Sequence, residues 1–105
     1  MKMEKDYTKR IEYLVKPFVE LGLYDSPEKL LGDLIKVLAK EKMKAYERTI
    51  RRFENKHRIS FEEFTEKLEG KATPELERDW MEWEAAINMH NAWKKASQEI
   101  GLSAA

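Results

Sequence analysis

The sequence contains no cysteine, which excludes at once a disulfide framework, a thiolate metal site and a cysteine nucleophile. A reducing compartment suits such a chain. Glycine and proline are scarce, at four and three residues in 105, so little of the chain is punctuated as turn or loop. No apolar run approaches the roughly 20 residues that would span a bilayer. The opening stretch, MKMEKDYTKR, lacks the apolar segment of a signal peptide, and a cytoplasmic location is expected. Net charge is zero, so no overall field draws the chain to a polyanion or a membrane. What is abundant is Glu, Lys, Leu, Ala, Arg and Met, all strong helix formers. A chain of this length supports one domain and buries about two thirds of its unfolded surface. The expectation is an all-α helical bundle, one domain over residues 1–105. It divides into an N-terminal helical hairpin (6–58) and an acidic C-terminal helical part (59–101).

Four helices can be read from apolar spacing and caps. The first runs from about Asp6 to Leu21, with Tyr7, Ile11, Leu14, Val15, Phe18 and Leu21 on one stripe. Gly22 stops it from the C′ position. Pro17 lies inside and predicts a kink or break near Lys16, because it removes an N–H and crowds the preceding turn. The second helix opens on Ser26 as N-cap with Pro27 at the first helical position and Glu28 beside it. Leu30, Leu31, Leu34, Ile35, Leu38, Ala45, Tyr46, Ile50 and Phe53 then keep helical spacing. This implies some 28 to 30 residues, or roughly 43 Å. Lys40, Glu41 and Lys42 interrupt the stripe, so the helix bends there or its second half packs against a different neighbour.

The third helix carries a capping box, Ser60 with Glu63, and Ile59 is placed to meet Phe64 as a hydrophobic staple. It presents Phe61, Phe64 and Leu68 and is expected to end at Gly70. The fourth starts on Thr73 and Pro74 and runs to about Ile100, before Gly101. Leu76, Trp80, Trp83, Ile87 and His90 form one stripe, and Ala86, Met89, Trp93, Ala96 and Ile100 an adjoining one.

The charges are segregated although they cancel. From Lys40 to Arg58 there are eight Lys or Arg against three Glu, and from Glu62 to Glu84 nine acids against three bases. The plainer reading is that these segments pack antiparallel and neutralise each other across solvated faces. The sharper one is two partner surfaces of opposite sign. In that second reading Arg48, Arg51, Arg52, Lys56 and Arg58 would touch nucleic-acid phosphates, although Glu47 and Glu54 interrupt the run.

Catalytic and metal chemistry find little purchase. Ser26, Ser60, Thr8 and Thr73 are better explained as caps or first-turn residues than as nucleophiles. Glu54 and His57 have the Glu-x-x-His spacing of bundle metal sites, but Lys56, Arg58 and Arg52 surround them, and His90 has Ile87 where a Glu is needed. Neither an enzyme nor a bound cofactor or metal is expected.

The run VKPFVELGLYDSPEKLLGDLIKVL, Val15 to Leu38, resembles the helix-turn-helix half of ribbon-helix-helix antitoxins, in which a GLY-x-S turn joins two amphipathic helices. Further patterns, among them Ile59-Ser60-Phe61-Glu62-Glu63-Phe64 and Asp79-Trp80-Met81-Glu82-Trp83-Glu84, look like small prokaryotic proteins of toxin-antitoxin loci. The resemblance implies a non-enzymatic homodimer whose C-terminal helix holds a cognate toxin. Partner contacts would then fall on Glu77, Asp79, Trp80, Glu82, Trp83, Glu84, Met89 and Trp93; of the aromatic residues, Trp80 and Trp83 are more readily read as internal packing, which leaves Trp93 and Met89 as the better contact candidates. Here the chain departs from that family, which reads DNA with a short strand ahead of the first helix: only Met1 to Lys5 are available for one. Ser26 would help present N–H groups to a phosphate, yet Pro27 removes one of them and Asp25 adds a repelling charge. A small DNA-binding regulator is the alternative function, and a helical enzyme or metal protein the second alternative.

Overall fold

A computed structural model describes the backbone of residues 2–101 and the side chains of residues 7–101. The protein is all-helical, with α1 (Lys2–Glu20), α2 (Pro27–His57), α3 (Phe61–Lys71) and α4 (Pro74–Glu99). No strand occurs among the described residues, and no helix is long and apolar enough to cross a membrane. The chain divides into two compact units, Met1–Val37 and Leu38–Ala105, and the boundary lies inside α2. The interruption of the apolar stripe at Lys40–Lys42 therefore marks a change of neighbours along one unbroken 31-residue helix.

The termini of these helices follow local chemistry. Ser26 Oγ accepts from the Lys29 N–H at 3.2 Å, Ser60 Oγ from Glu63 at 3.1 Å, and Thr73 Oγ1 from Leu76 at 3.2 Å. Each cap satisfies one of the amide donors that a helix start leaves without a partner. At the other end of α1, Gly22 adopts φ 77°, its N–H donates to Val19 O, and the Leu23 N–H donates to Phe18 O. This is a Schellman turn, whose left-handed residue costs nothing without a Cβ.

Three expectations about boundaries need correction. Helix α1 begins at Lys2 rather than near Asp6, because residues 2–5 are good helix formers that carry no apolar periodicity to announce them. Pro17 neither breaks nor ends α1: the Leu21 N–H still donates to Pro17 O at 3.0 Å. Tyr13, whose carbonyl loses its helical donor, is exposed, as is Pro17 itself, so water can serve that oxygen. Gly70 lies inside α3, which ends one residue later where Ala72 turns extended ahead of the Thr73-Pro74 start of α4.

The unit Leu38–Ala105 has a closed aromatic core. Phe53 from α2, Phe64 from α3 and Trp83 from α4 are buried together, with Ile50, Ile59, Phe61, Leu68, Leu76, Trp80 and Ile87 packed around them. Phe53 stacks on Trp83 with centroids 5.7 Å apart, and Phe61 meets Trp83 edge-on at 5.4 Å. Both stripes read on α4 begin on this core, since Ala86 is buried and Trp93 half-buried, whereas Met89, Ala96 and Ile100 emerge from it.

In the unit Met1–Val37 the same periodicity ends differently. Among the described side chains only Val15 and Leu30 are buried there, with Ile11, Val19 and Leu31 half-covered. The rest of the predicted stripe stands in the open: Leu14 is 67% exposed, Phe18 45%, Leu21 75% and Leu34 55%.

Candidate functional site

Helices α2 and α4 meet through a ladder of charged and polar pairs. Glu47, Arg52 and His57 on α2 find His90, Glu82 and Asp79 on α4, so ascending numbers on one helix meet descending numbers on the other. The helices are antiparallel. Glu47 Oε1 accepts from His90 Nε2 at 3.1 Å, Arg52 pairs with Glu82, and Asp79 Oδ2 receives both Lys56 Nζ at 2.7 Å and His57 Nε2 at 2.9 Å. Partial burial pushes the Asp79 carboxyl up, but the hydrogen bonds from Lys56 and His57 outweigh it and hold the group below its ordinary value. The basic half of α2 and the acidic start of α4 therefore neutralise each other, as the plainer reading of the charge pattern has it.

This changes what the predicted partner residues can do. Trp83 is 0% exposed, so it cannot touch a partner while the fold is intact. Trp80 is half-buried and donates its indole N–H to Thr65 Oγ1 at 2.8 Å, which fixes it as a strut between α3 and α4. Asp79 and Glu82 are already paired with α2. Glu77, Glu84 and Met89 make no ion pair or hydrogen bond among the described side chains, and Glu77 and Met89 are exposed. Trp93 is half-buried. Sequence reasoning passed over Met81, which is 63% exposed and sits one residue from the paired Glu82. Its signal was available in the spacing, since Met81 falls outside both apolar stripes of α4.

The basic stretch is similarly divided. Arg52 also lies over the Phe53 ring, 4.8 Å from its centroid, and Arg51 leans toward Glu47 at 3.9 Å. With Lys56 held by Asp79, only Arg48 and Arg58 of the five predicted phosphate contacts lack an acidic partner among the described residues. Arg58 closes α2 in the left-handed region, at φ 62°, its N–H donating to Glu54 O at 2.8 Å. No sequence signal marks that turn, because glycine usually occupies such a position.

A hollow of about 120 Å³ lies between the end of α2, the later turns of α3 and the start of α4, lined by His57, Ile59, Phe64, Leu68 and Leu76 with Lys67 and Lys71. No hydroxyl or carboxylate side chain lines it. Among the described residues no three His, Asp or Glu side chains converge as metal ligands, and Glu54 is exposed while His57 turns to Asp79.

No protein-family model, no curated protein and no solved structure matches this chain. Its surfaces are therefore read on their own chemistry. Two stand out: the outer side of α4 with Glu77, Met81 and Met89, and the apolar side of the N-terminal unit.

Proposed function

We propose that the chain is a non-catalytic protein-interaction module of the antitoxin type, which holds a toxin protein and silences it. One observation carries this reading. On α4, Met81 and Met89 stand exposed, at 63% and 42%, away from the side that Trp83 and the pairs to α2 occupy. Large apolar side chains held in water on a helix whose other side is already packed mark a surface that another molecule covers.

For the toxin we assign the outer side of α4. Its opposite side is fixed by Trp83, Trp80 and the pairs to α2, so the helix offers a rigid platform that pays little ordering entropy on binding. Met81 and Met89 supply adaptable apolar contact. Glu77 and the half-buried Glu84 supply negative potential, which suits a basic, RNA-cleaving partner and speeds its capture. The DNA-binding alternative finds less support, because α1 is helical from Lys2 and most of the basic stretch of α2 is engaged with carboxylates.

Co-expression with the product of the adjoining reading frame tests the assignment. The chain should relieve growth arrest caused by that product and bind it. Met81→Asp together with Met89→Asp should weaken binding by about tenfold or more, equivalent to roughly 1.4 kcal/mol. An adjoining product that neither arrests growth nor binds the chain overturns the reading.

A further inference from the structure

We infer that the hollow between α2, α3 and α4 is a binding site for a small apolar carboxylate. The short aliphatic or aromatic body of such an acid enters the hollow, and its charged head stands against Lys67 and Lys71. Ile59, Phe64, Leu68 and Leu76 make the wall apolar, and the two lysines of α3 line it beside them. The site uses neither Met81 nor Met89, so it does not rest on the toxin assignment.

Three features select this class of ligand. The first is size. An apolar cavity of about 150 Å³ takes one benzene ring and excludes water, so a hollow of about 120 Å³ suits a single ring or a short chain. A nucleotide or other larger ligand needs several times that space. Left unfilled, an apolar wall forfeits dispersion contacts that such a body restores. The second is charge. Lys67 and Lys71 stand four residues apart on α3, both exposed, and neither makes an ion pair among the described side chains. Glu63, placed four residues before Lys67, instead accepts from the Ser60 hydroxyl at 3.2 Å. Like charges at this helical spacing repel each other, and an anionic head beside them offsets that cost. The third is the kind of polar group present. No hydroxyl or carboxylate side chain lines the hollow, and His57 has its Nε2 engaged with Asp79 at 2.9 Å. A sugar or a peptide would bring O–H or N–H donors that find no acceptor among the lining side chains, whereas an ionised acid brings acceptors alone.

Proton–nitrogen correlation NMR of the full chain, titrated with sodium benzoate, tests the inference. Saturable shifts should fall on the amides of Ile59, Phe64, Leu68 and Leu76, with a Kd on the order of 0.1–1 mM for so small a ligand. The indole of Trp83 should follow them, because its ring centroid lies 5.4 Å from that of Phe64. Benzyl alcohol keeps the ring without the charge, and acetate keeps the charge without the ring. Each should bind at least about fivefold more weakly than benzoate. Lys67→Gln combined with Lys71→Gln should bring benzoate down to the affinity of benzyl alcohol. Both lysines are exposed, so this variant keeps its helical circular dichroism. Leu68→Phe, which fills the hollow, should abolish the shifts. The inference is overturned by the absence of saturable shifts up to about 10 mM benzoate, or by benzyl alcohol binding as well as benzoate. It is also overturned by undiminished binding in the lysine variant. Tighter binding of N-acetylglycyl-leucine than of benzoate would likewise overturn it, by giving the hollow to a polypeptide carboxyl terminus.

Discussion

The imidazole of His57 lies 4.3 Å, centroid to centroid, from the ring of Phe64 while its Nε2 stands 2.9 Å from Asp79 Oδ2. One side chain therefore joins the aromatic core to the charged seam between α2 and α4. Lys56, from the next position on α2, completes the contact by reaching the same oxygen. Disturbing Asp79 should be felt in the core.

That coupling fixes a direction for acid sensitivity. The Asp79 carboxyl is held below its ordinary value of 3.8 because its ionised form keeps hydrogen bonds that the unfolded chain lacks. The stability it contributes is present above about pH 4 and is lost as pH falls through the lower, folded value. Thermal unfolding followed by circular dichroism from pH 6 to 3 should show a falling midpoint in the acid range. Asp79→Asn should lower the midpoint at pH 6 and flatten that acid decline; parallel profiles for the two proteins would refute the role given to Asp79.

Trp83 is the central side chain of the core, touched by Phe53, Phe61 and Phe64 and wholly excluded from solvent. Truncating it to Ala should cost about 3–5 kcal/mol in urea unfolding, a large part of the stability expected of a small domain. Trp93→Ala, at a half-buried site, should cost clearly less. Equal losses at the two positions would contradict the placement of the core.

Arg52 and Glu82 are both more than half exposed, at 62% and 57%. A double-mutant cycle with alanine should give a coupling of ~0–1 kcal/mol that fades with added salt. A coupling of several kcal/mol that resists salt would mean the seam is far drier than its exposure indicates.

The caps and the turn at residue 58 predict opposite signs. Ser60→Ala removes the acceptor for the Glu63 N–H and should destabilise by ~1 kcal/mol. Arg58→Gly relieves a left-handed residue that carries a Cβ and should stabilise by up to about 1 kcal/mol. Measured unfolding free energies that moved the same way at both positions would show that the α2–α3 junction is held by something other than local backbone chemistry.

Much of the fold could be read from short-range chemistry. Ser26, Ser60, Thr73 and Gly22 each act where the sequence placed them, because a cap or a left-handed turn is decided by a few neighbouring atoms. Pro17, Gly70 and Arg58 were less legible, because their outcome depends on exposure and on the next element rather than on propensity. The candidate surfaces were hardest. Spacing marks Leu14 and Val15, or Met89 and Trp83, as equally apolar and cannot say which side chain a neighbouring helix covers. Charge segregation was visible in the sequence, but only the antiparallel seam shows that Asp79 and Glu82 are already occupied.

The aromatic core closes only when α4 delivers Trp83, whereas every exposed apolar residue of the N-terminal pair has been translated by Val37. At ~5–20 residues per second, the ribosome adds Trp83 roughly 2–9 s after Val37. The greasy pair of helices thus stands open on each nascent chain for seconds before the rest of the protein has sealed, and whatever shelters it first does so during synthesis.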